Sequence, residues 1–226
     1  MQRTKIIIAN CNSILNDMQH SFKTKYGASI ISKKEELSIE NVSEIDPTHI
    51  FFMHWSWIIP EEIFNKYNCI VFHMTDLPYG RGGSPLQNLI IRGHKETKIS
   101  ALKVDKGIDT GDIFLKKDLS LVGTADIIFL RAGKIIEEMI DEIILEKIKP
   151  TPQIGNPVYF KRRMPSESLI TDEITTIEAL YDFIRMLDGK NYPAAFIRQG
   201  AFKIEFSGAT INDQNQLIAN VKFIKE

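Results

Sequence analysis

The residues best suited to chemistry lie on two glycine-containing loops, each of which follows a hydrophobic run. His73 ends the apolar run 69–73, and a glycine-rich turn follows it at 79–83. Asp109 lies in a later loop, 105–112, which is also acidic and broken by glycines. A histidine and an aspartate can transfer a proton during attack on a carbonyl group. Both are therefore candidates for that chemistry, while a structural histidine and a solvated turn remain the plain alternatives.

Other polar segments have the composition of ligand contacts. The segment Arg81-Gly82-Gly83-Ser84-Pro85 opens a predicted helix and suits an anion, but it lacks the lysine and spacing of a P-loop. Asn10 and Ser13 stand on the first strand-to-helix turn, where a phosphate contact and a helix cap fit equally well. The basic run 161–163 is either a solvated face or an anion site. No metal site is predicted, because the loop 105–112 lacks the final glutamate of an EF-hand.

Composition and net charge limit the classes of protein to which the chain can belong. A chain of 226 residues with 43% hydrophobic residues can bury one sizeable core. Its net charge of −1 gives no overall basic field, so no nucleic-acid partner is expected. No apolar run approaches the roughly 20 residues needed to span a bilayer, and the start is too polar for a signal peptide. A cytoplasmic location without membrane contact is expected, with Cys11 and Cys69 as reduced thiols.

Alternating elements must position these residues. Short apolar runs predict strands at 5–9, 30–31, 49–54, 69–73, 98–104 and 113–119. Helical spacing predicts helices after Ser13, after Pro60, at 85–92 and at 124–148. The order predicts an α/β fold with a mostly parallel sheet covered on both faces, and an antiparallel edge around Asp109. Prolines after Lys149 predict a main domain at 1–150 and a small α+β extension at 151–226, comprising a linker, a helix and a β-hairpin.

The two loops resemble those of the folate-dependent formyltransferases. In that family the first loop reads approximately His-Pro-Ser-Leu-Leu-Pro-x-x-Arg-Gly-x-x-Pro-x-Gln, and the second reads Asp-x-Gly-x-Asp-Thr-Gly-Asp. The first is matched here by His73, Thr75, Leu77, Pro78, Arg81, Gly82, Pro85 and Gln87. The second is matched by Asp105, Gly107, Asp109, Thr110, Gly111 and Asp112. The resemblance covers at least positions 1 to 150 and implies the Rossmann-like formyltransferase fold.

The resemblance also implies an activity and a set of site residues. The formyl donor would be 10-formyltetrahydrofolate, and no metal would be needed. Asp109 would accept a proton and orient His73, which would stabilise the oxyanion or pass a proton to the leaving nitrogen. The implied folate contacts are Trp57, Ile58, Ile59, Lys103, Val104, Asp105 and Gly107. The implied contacts of the acceptor are Asn10, Ser13, Tyr79, Arg81, Gly82, Gly83 and Lys161. The family's usual asparagine, two positions before the histidine, is Val71 here.

The expected acceptor is the amine of a nucleotide-linked amino-sugar, such as a UDP-4-amino-4,6-dideoxy sugar. The segments 160–165 and 184–196 resemble the tails of sugar-nucleotide N-formyltransferases of the pseudaminic-acid type. The tail is short and lacks the basic charge of the larger C-terminal domain of methionyl-tRNA formyltransferases. Two alternatives remain: a formylation or docking module related to those of peptide synthetases, and a small methionyl-tRNA formyltransferase. The oligomeric state is left open.

Overall fold

The protein is described here by a computed structural model that covers residues 5–190 and 192–226. Six of its strands are β1 (Ile6–Ala9), β2 (Ser29–Ile31), β3 (His49–Met53), β4 (Asn68–His73), β6 (Glu96–Lys103) and β7 (Ile113–Ser120). They form one sheet in the order β2-β1-β3-β4-β6-β7. The first four pair in parallel, and β6 runs antiparallel to β4. The predicted mostly parallel α/β fold is therefore confirmed.

The described residues form six α-helices. They are α1 (Asn16–Tyr26), α2 (Ile39–Ile45), α3 (Glu61–Lys66), α4 (Pro85–Ile90), α5 (Ala125–Glu146) and α6 (Ile177–Leu187). A 3-10 turn at Ser13–Leu15 precedes α1, and the side chain of Asn12 caps that turn by accepting from the amide of Ile14. The sequence did not predict α2. It is only seven residues long and begins at the capping serine Ser38, whose hydroxyl accepts from the amide of Asn41.

The described chain forms two compact units whose segments alternate along the sequence. The first comprises Met1–Arg81, Lys98–Leu119 and Leu130–Tyr159, and the second comprises Gly82–Thr97, Ser120–Phe129 and Phe160–Glu226. The predicted boundary after residue 150 stays a prediction. Two further short strands, β5 (Arg81–Gly82) and β8 (Tyr159–Phe160), pair with each other.

The core of the first unit consists of residues from the parallel strands. Ile7, Ile50, Phe52 and Cys69 lie in one buried cluster. Burial raises the pKa of the Cys69 thiol to about 12, because an apolar environment disfavours the thiolate. None of the described helices is both long and apolar enough to cross a membrane.

The second unit contains a small antiparallel sheet. Its strands are β9 (Ala195–Gln199), β10 (Phe202–Ile211) and β11 (Leu217–Lys225), in the order β11-β10-β9. The predicted hairpin corresponds to β9 and β10, whereas β11 was not predicted. In the same unit the buried Arg185 donates to the carboxylate of Asp182 at 2.6 Å and to the carbonyl of Leu121 at 2.6 Å. These bonds satisfy a charged group that would otherwise be costly to bury.

Candidate active site

His73 lies at the carboxyl end of β4 and has partners on both ring nitrogens. Its Nε2 is 2.8 Å from the carbonyl oxygen of Gly80, and its Nδ1 is 3.5 Å from Oδ2 of Asp109. A carbonyl oxygen only accepts hydrogen bonds, so Nε2 must carry a proton. The Nδ1 atom faces the carboxylate of Asp109, so it is the ring nitrogen positioned for proton transfer. The structure thus brings together the two residues that the sequence selected for proton transfer.

The turn after His73 is fixed by buried hydrogen bonds. The hydroxyl of Ser100, on β6, donates to the carbonyl of Thr75 at 2.7 Å and accepts from the amide of Leu77 at 3.3 Å. Thr75 is fully buried and donates to the carbonyl of Gly80 at 3.5 Å. The Leu77–Pro78 peptide bond is cis. Because the carbonyl of Gly80 is held in this way, the plane of the His73 ring is held with it.

In the loop that carries Asp109, the aspartate, threonine and glycine residues of the motif each have a structural role. Asp105 Oδ1 accepts from the amide of Gly107 at 3.0 Å and from the hydroxyl of Thr110 at 2.6 Å. A side chain at Gly107 would lie 2.0 Å from Thr110 Oγ1, and one at Gly111 would lie 1.8 Å from the carbonyl oxygen of Lys103. Asp109 has a φ of 54°, which is uncommon for a residue other than glycine. The aspartate, threonine and glycines thus close a tight loop that directs Asp109 toward His73.

Gln153 connects this loop to Arg81, and the sequence reasoning missed it. Its amide nitrogen donates to the carbonyls of Asp109 at 2.9 Å and Gly111 at 2.8 Å. Its amide oxygen accepts from Nη2 of Arg81 at 2.8 Å and from Nε at 3.2 Å. The amide therefore fixes the backbone that carries the catalytic candidate Asp109. The available signal was one polar side chain in a proline-rich linker, which is too weak to interpret without coordinates.

Arg81 has substantial protein contacts of its own. Besides Gln153, its Nη1 donates to the hydroxyl of Tyr159 at 3.3 Å. Its guanidinium carbon also lies 5.9 Å from the centre of the Tyr159 ring. The predicted contact of Arg81 with the acceptor stays a prediction, and the geometry gives this arginine a second task in holding Gln153.

Val71 packs against two apolar clusters. It lies two residues before His73 on β4, so both side chains point to the same face of the strand. It contacts the cluster of Leu77, Leu102 and Ile113, and also the main core of the first unit. Its side chain is only partly buried. The valine therefore completes apolar packing where the family's asparagine would supply a hydrogen-bond donor.

The residues predicted to contact folate lie in two segments of the first unit. Trp57 packs edge-on against Trp55, with ring centres 4.8 Å apart, and Ile58 is 91% exposed. Lys106, in the loop after β6, forms an ion pair of 2.7 Å with Glu61 at the start of α3. The predicted folate contacts of these segments stay a prediction. The amides of Lys103 and Val104 already donate to the carbonyls of Asp112 and Cys69.

The residues predicted to contact the acceptor are divided between the two units. In the first, the buried Asn10 amide is used within its own turn, where it donates to the carbonyl of Asn12 and accepts from the amide of Asn12. In the second, Gly82 and Gly83 allow the close approach of another segment. A side chain at Gly82 would lie 2.4 Å from the carbonyl oxygen of Phe160, and one at Gly83 would lie 2.5 Å from Arg162.

The other predicted acceptor contacts are less constrained. Lys161 is exposed, and its carbonyl accepts from the side chain of Asn88 in the same unit. Ser13 and Tyr79 are partly buried residues of the first unit. Across the described residues, no group of three or more histidine, cysteine, aspartate or glutamate side chains could hold a metal ion.

Comparison with known proteins identifies two matching family models. Residues 14–128 match the model described as "Formyl transferase", which is half of the chain. Residues 165–224 match the model described as "Methionyl-tRNA formyltransferase, C-terminal domain". The second match covers α6 and the small antiparallel sheet.

Individual relatives agree with these models. A solved structure named as a methionyl-tRNA formyltransferase from Clostridium thermocellum is 51% identical, with a TM-score of 0.95 over 99% of this chain and 100% of that one. A methionyl-tRNA formyltransferase of Clostridium botulinum is 31% identical over 173 residues, covering 73% of this chain and 55% of the relative. This chain thus spans about half the length of the curated relatives it matches. A sugar N-formyltransferase from Shewanella shares the fold at 14% identity and a TM-score of 0.65, over 97% of both chains.

These matches overturn two expectations from the sequence. A nucleotide-linked amino-sugar acceptor is contradicted, because the relatives with substantial identity carry the name methionyl-tRNA formyltransferase. The expectation of no nucleic-acid partner is contradicted by the same matches and by the C-terminal domain model. Tail length does not exclude a methionyl-tRNA formyltransferase, because this chain covers 100% of the Clostridium thermocellum structure of that name. The net charge of −1 does not exclude a nucleic-acid partner, because a net charge averages over the surface and local positive clusters can still be present.

Proposed function

Because the chain belongs to the formyl transferase family, we propose that it transfers a formyl group from 10-formyltetrahydrofolate to the amino group of methionyl-tRNA. One observation carries the choice of acceptor. The identity of 51% to the Clostridium thermocellum methionyl-tRNA formyltransferase extends over nearly the whole of both chains, including the C-terminal part.

The proposed chemistry relies on the His73–Asp109 pair. When bound, 10-formyltetrahydrofolate supplies an electrophilic formyl carbon and a nitrogen leaving group. A proton must leave the attacking amine, and a proton must reach the departing nitrogen. We assign acceptance of the amine's proton to Oδ2 of Asp109 and its delivery to the departing nitrogen to Nδ1 of His73; these two atoms are 3.5 Å apart. Since Nε2 donates to Gly80, the ring can exchange a proton only at Nδ1.

The surrounding residues hold the pair in reacting geometry. The hydrogen bonds of Gln153 and the contact between Asp105 and Thr110 restrain the loop of Asp109. Restraint of this kind lowers the entropic cost of bringing the reacting groups together. The exposed Trp57 and Ile58 provide an apolar surface for the folate ring.

The proposal is tested by the identity of the acceptor. Purified protein is incubated with 10-formyltetrahydrofolate and either charged initiator tRNA or uncharged tRNA plus free methionine, and the aminoacyl group is then analysed by mass. The proposal predicts a gain of one formyl group on the methionine of the charged tRNA only. A parallel panel of amino-sugar nucleotides serves as a comparison. Formylation of a sugar without formylation of methionyl-tRNA would overturn the proposal.

A further inference from the structure

Residues 151–158, which lie between α5 and β8, form an extended segment that is called the strap below. All of them are described and belong to the first unit, and among them only Thr151 takes part in a β-bridge, an isolated one. Every residue of the strap except Gln153 is exposed, and Ile154 is 91% exposed. An exposed segment of this kind is ordinarily mobile. Hydrogen bonds at both of its ends nevertheless hold the strap in place.

The first end of the strap is bonded to the loop of Asp109. The amide of Thr151 donates to the carbonyl of Ile113 at 2.9 Å, and the amide of Ile113 donates back to the carbonyl of Thr151 at 2.8 Å. The side chain of Gln153 donates to the carbonyls of Asp109 and Gly111 at 2.9 Å and 2.8 Å. These bonds fix the loop from Asp109 to the start of β7.

The last end of the strap is bonded to the turn that follows His73. The amide of Val158 donates to the carbonyl of Pro78 at 3.2 Å. The carbonyl of Val158 accepts from the amides of Gly80 and Arg81, both at 2.9 Å. Gly80 is the residue whose own carbonyl accepts from Nε2 of His73 at 2.8 Å. The strap therefore holds the residue that orients the histidine ring.

The two catalytic candidates hold each other weakly. The distance of 3.5 Å between Nδ1 of His73 and Oδ2 of Asp109 exceeds the usual length of an N–H···O hydrogen bond. The two residues also lie on loops that follow different strands, β4 and β6. Their separation therefore depends on the contacts that hold the two loops, and the strap is bonded to both loops.

We propose that the strap is a positioning element for the transfer step, and that it sets the separation of His73 and Asp109 through its bonds to their two loops. The inference rests on the proposed role of this pair in formyl transfer. Pro152 and Pro157 suit the strap for this task, because a proline has a fixed φ and loses little conformational entropy when the segment becomes ordered. Since the strap is held by hydrogen bonds and not by burial, it can be loosened without unfolding the core.

Cleavage of the strap tests this role directly. A recognition sequence for a site-specific protease is inserted between Gly155 and Asn156, and the purified full chain is cleaved there. The same sequence inserted between Asp213 and Gln214, in the exposed turn before β11, is the matched control. We expect the strap-cleaved protein to lose kcat on the order of 10- to 100-fold, with less than about a twofold change in the KM for 10-formyltetrahydrofolate, because a misplaced catalytic group impairs reaction more than binding. The cleaved control should match the wild type.

A second background separates positioning from a general structural effect. In Asp109→Asn, cleavage of the strap should cause no further loss of kcat, because the group that the strap positions has already been removed. A general distortion of the protein would instead add its own loss, and such additivity would overturn the inference. Wild-type kcat in a strap-cleaved protein that is folded, as judged by circular dichroism, would also overturn it.

Hydrogen exchange gives a readout that requires no acceptor. In the free protein, the amides of residues 79–81 and 105–112 should exchange on the order of tenfold faster after cleavage of the strap, and at the wild-type rate in the cleaved control. If the wild type does not formylate methionyl-tRNA, the proposed acceptor is wrong, but this measurement still decides the role of the strap. Unchanged exchange in either loop would overturn that role.

A milder change replaces cleavage if the strap-cleaved protein unfolds. Pro152→Gly combined with Pro157→Gly loosens the strap without breaking it, and Pro165→Gly, at another exposed proline, is its control. The double variant should show lower kcat and faster exchange in both loops, whereas the control should match the wild type. A folded double variant with wild-type kcat and wild-type exchange would contradict the proposal.

Discussion

Gln153 and Asp109 are joined by a hydrogen bond of 2.9 Å from the Gln153 amide to the backbone carbonyl of Asp109. The bond holds an aspartate whose φ of 54° is unusual for its residue type. A residue in that conformation persists only where its surroundings fix it. The position of the backbone that carries the Asp109 carboxylate thus depends on the side chain of Gln153.

Loss of the Gln153 amide should lower catalysis more than binding. We expect Gln153→Ala to reduce kcat roughly 10- to 100-fold with a small change in KM, because misplacement of a catalytic group by about 1 Å has effects of that size. Gln153→Glu should be similarly impaired, since a carboxylate cannot donate to the carbonyls of Asp109 and Gly111. Steady-state kinetics measure both, with Gln19→Ala on exposed α1 as the control. Full activity in Gln153→Glu would contradict this positioning role.

Val71→Asn should test what replaces the family's asparagine. The new amide can donate to a developing oxyanion, so we expect formyl transfer to be maintained or increased. The same change should lower the free energy of unfolding by about 1–3 kcal/mol, because Val71 packs against Leu77 and Leu102. Val71→Ala, which removes packing without adding a donor, is the control. A far greater loss of activity in Val71→Asn than in Val71→Ala would show that the site is arranged differently.

The glycine of the second loop should be intolerant of a side chain. In Gly111→Ala the new Cβ would lie 1.8 Å from the carbonyl oxygen of Lys103, which requires backbone movement. We expect a loss of about 3 kcal/mol or more in stability, measured by urea unfolding. Gly93→Ala provides the comparison, because Gly93 has a φ of +80° but no atom within 4 Å of the added Cβ. Its cost should be only about 1–2 kcal/mol. Equal losses would refute the close-approach explanation.

His49 should make stability depend on pH. Burial lowers the pKa of His49 below its ordinary value of 6.5, because the folded core disfavours the charged ring. The unfolded chain therefore binds the proton first as the pH falls, and stability present above pH 6.5 is lost below it. His49→Phe keeps an aromatic ring beside Phe51 and should flatten this dependence. Unfolding curves between neutral and mildly acidic pH measure the effect; identical pH slopes would contradict it.

The sequence predicted the strands and helices that can be recognised from their own pattern of apolar residues. The apolar runs of β1, β3 and β4 are buried on both faces, and such strands are recognisable without knowledge of their neighbours. The long helix α5 was predicted from its periodicity and observed at Ala125–Glu146. The two loops were found because proton transfer and tight turns both require distinctive residue types.

What the sequence did not reveal depends on tertiary contacts. Gln153 gains its importance only from carbonyls and a guanidinium that lie far away along the chain. Strand β11 is mostly exposed and mixes asparagine and lysine with apolar residues, so its pattern is weak. The acceptor was predicted wrongly because tail length and net charge are global quantities, whereas recognition of a tRNA is a local property of a surface.

The most direct test of the account is the rate of formyl transfer from 10-formyltetrahydrofolate to charged initiator tRNA, measured in single turnover for wild type, His73→Ala and Asp109→Asn. The account predicts formylation by the wild type and a loss of at least about 10²-fold in each variant, with unchanged thermal unfolding. Robust transfer by either folded variant would contradict the assignment of the proton to the His73–Asp109 pair.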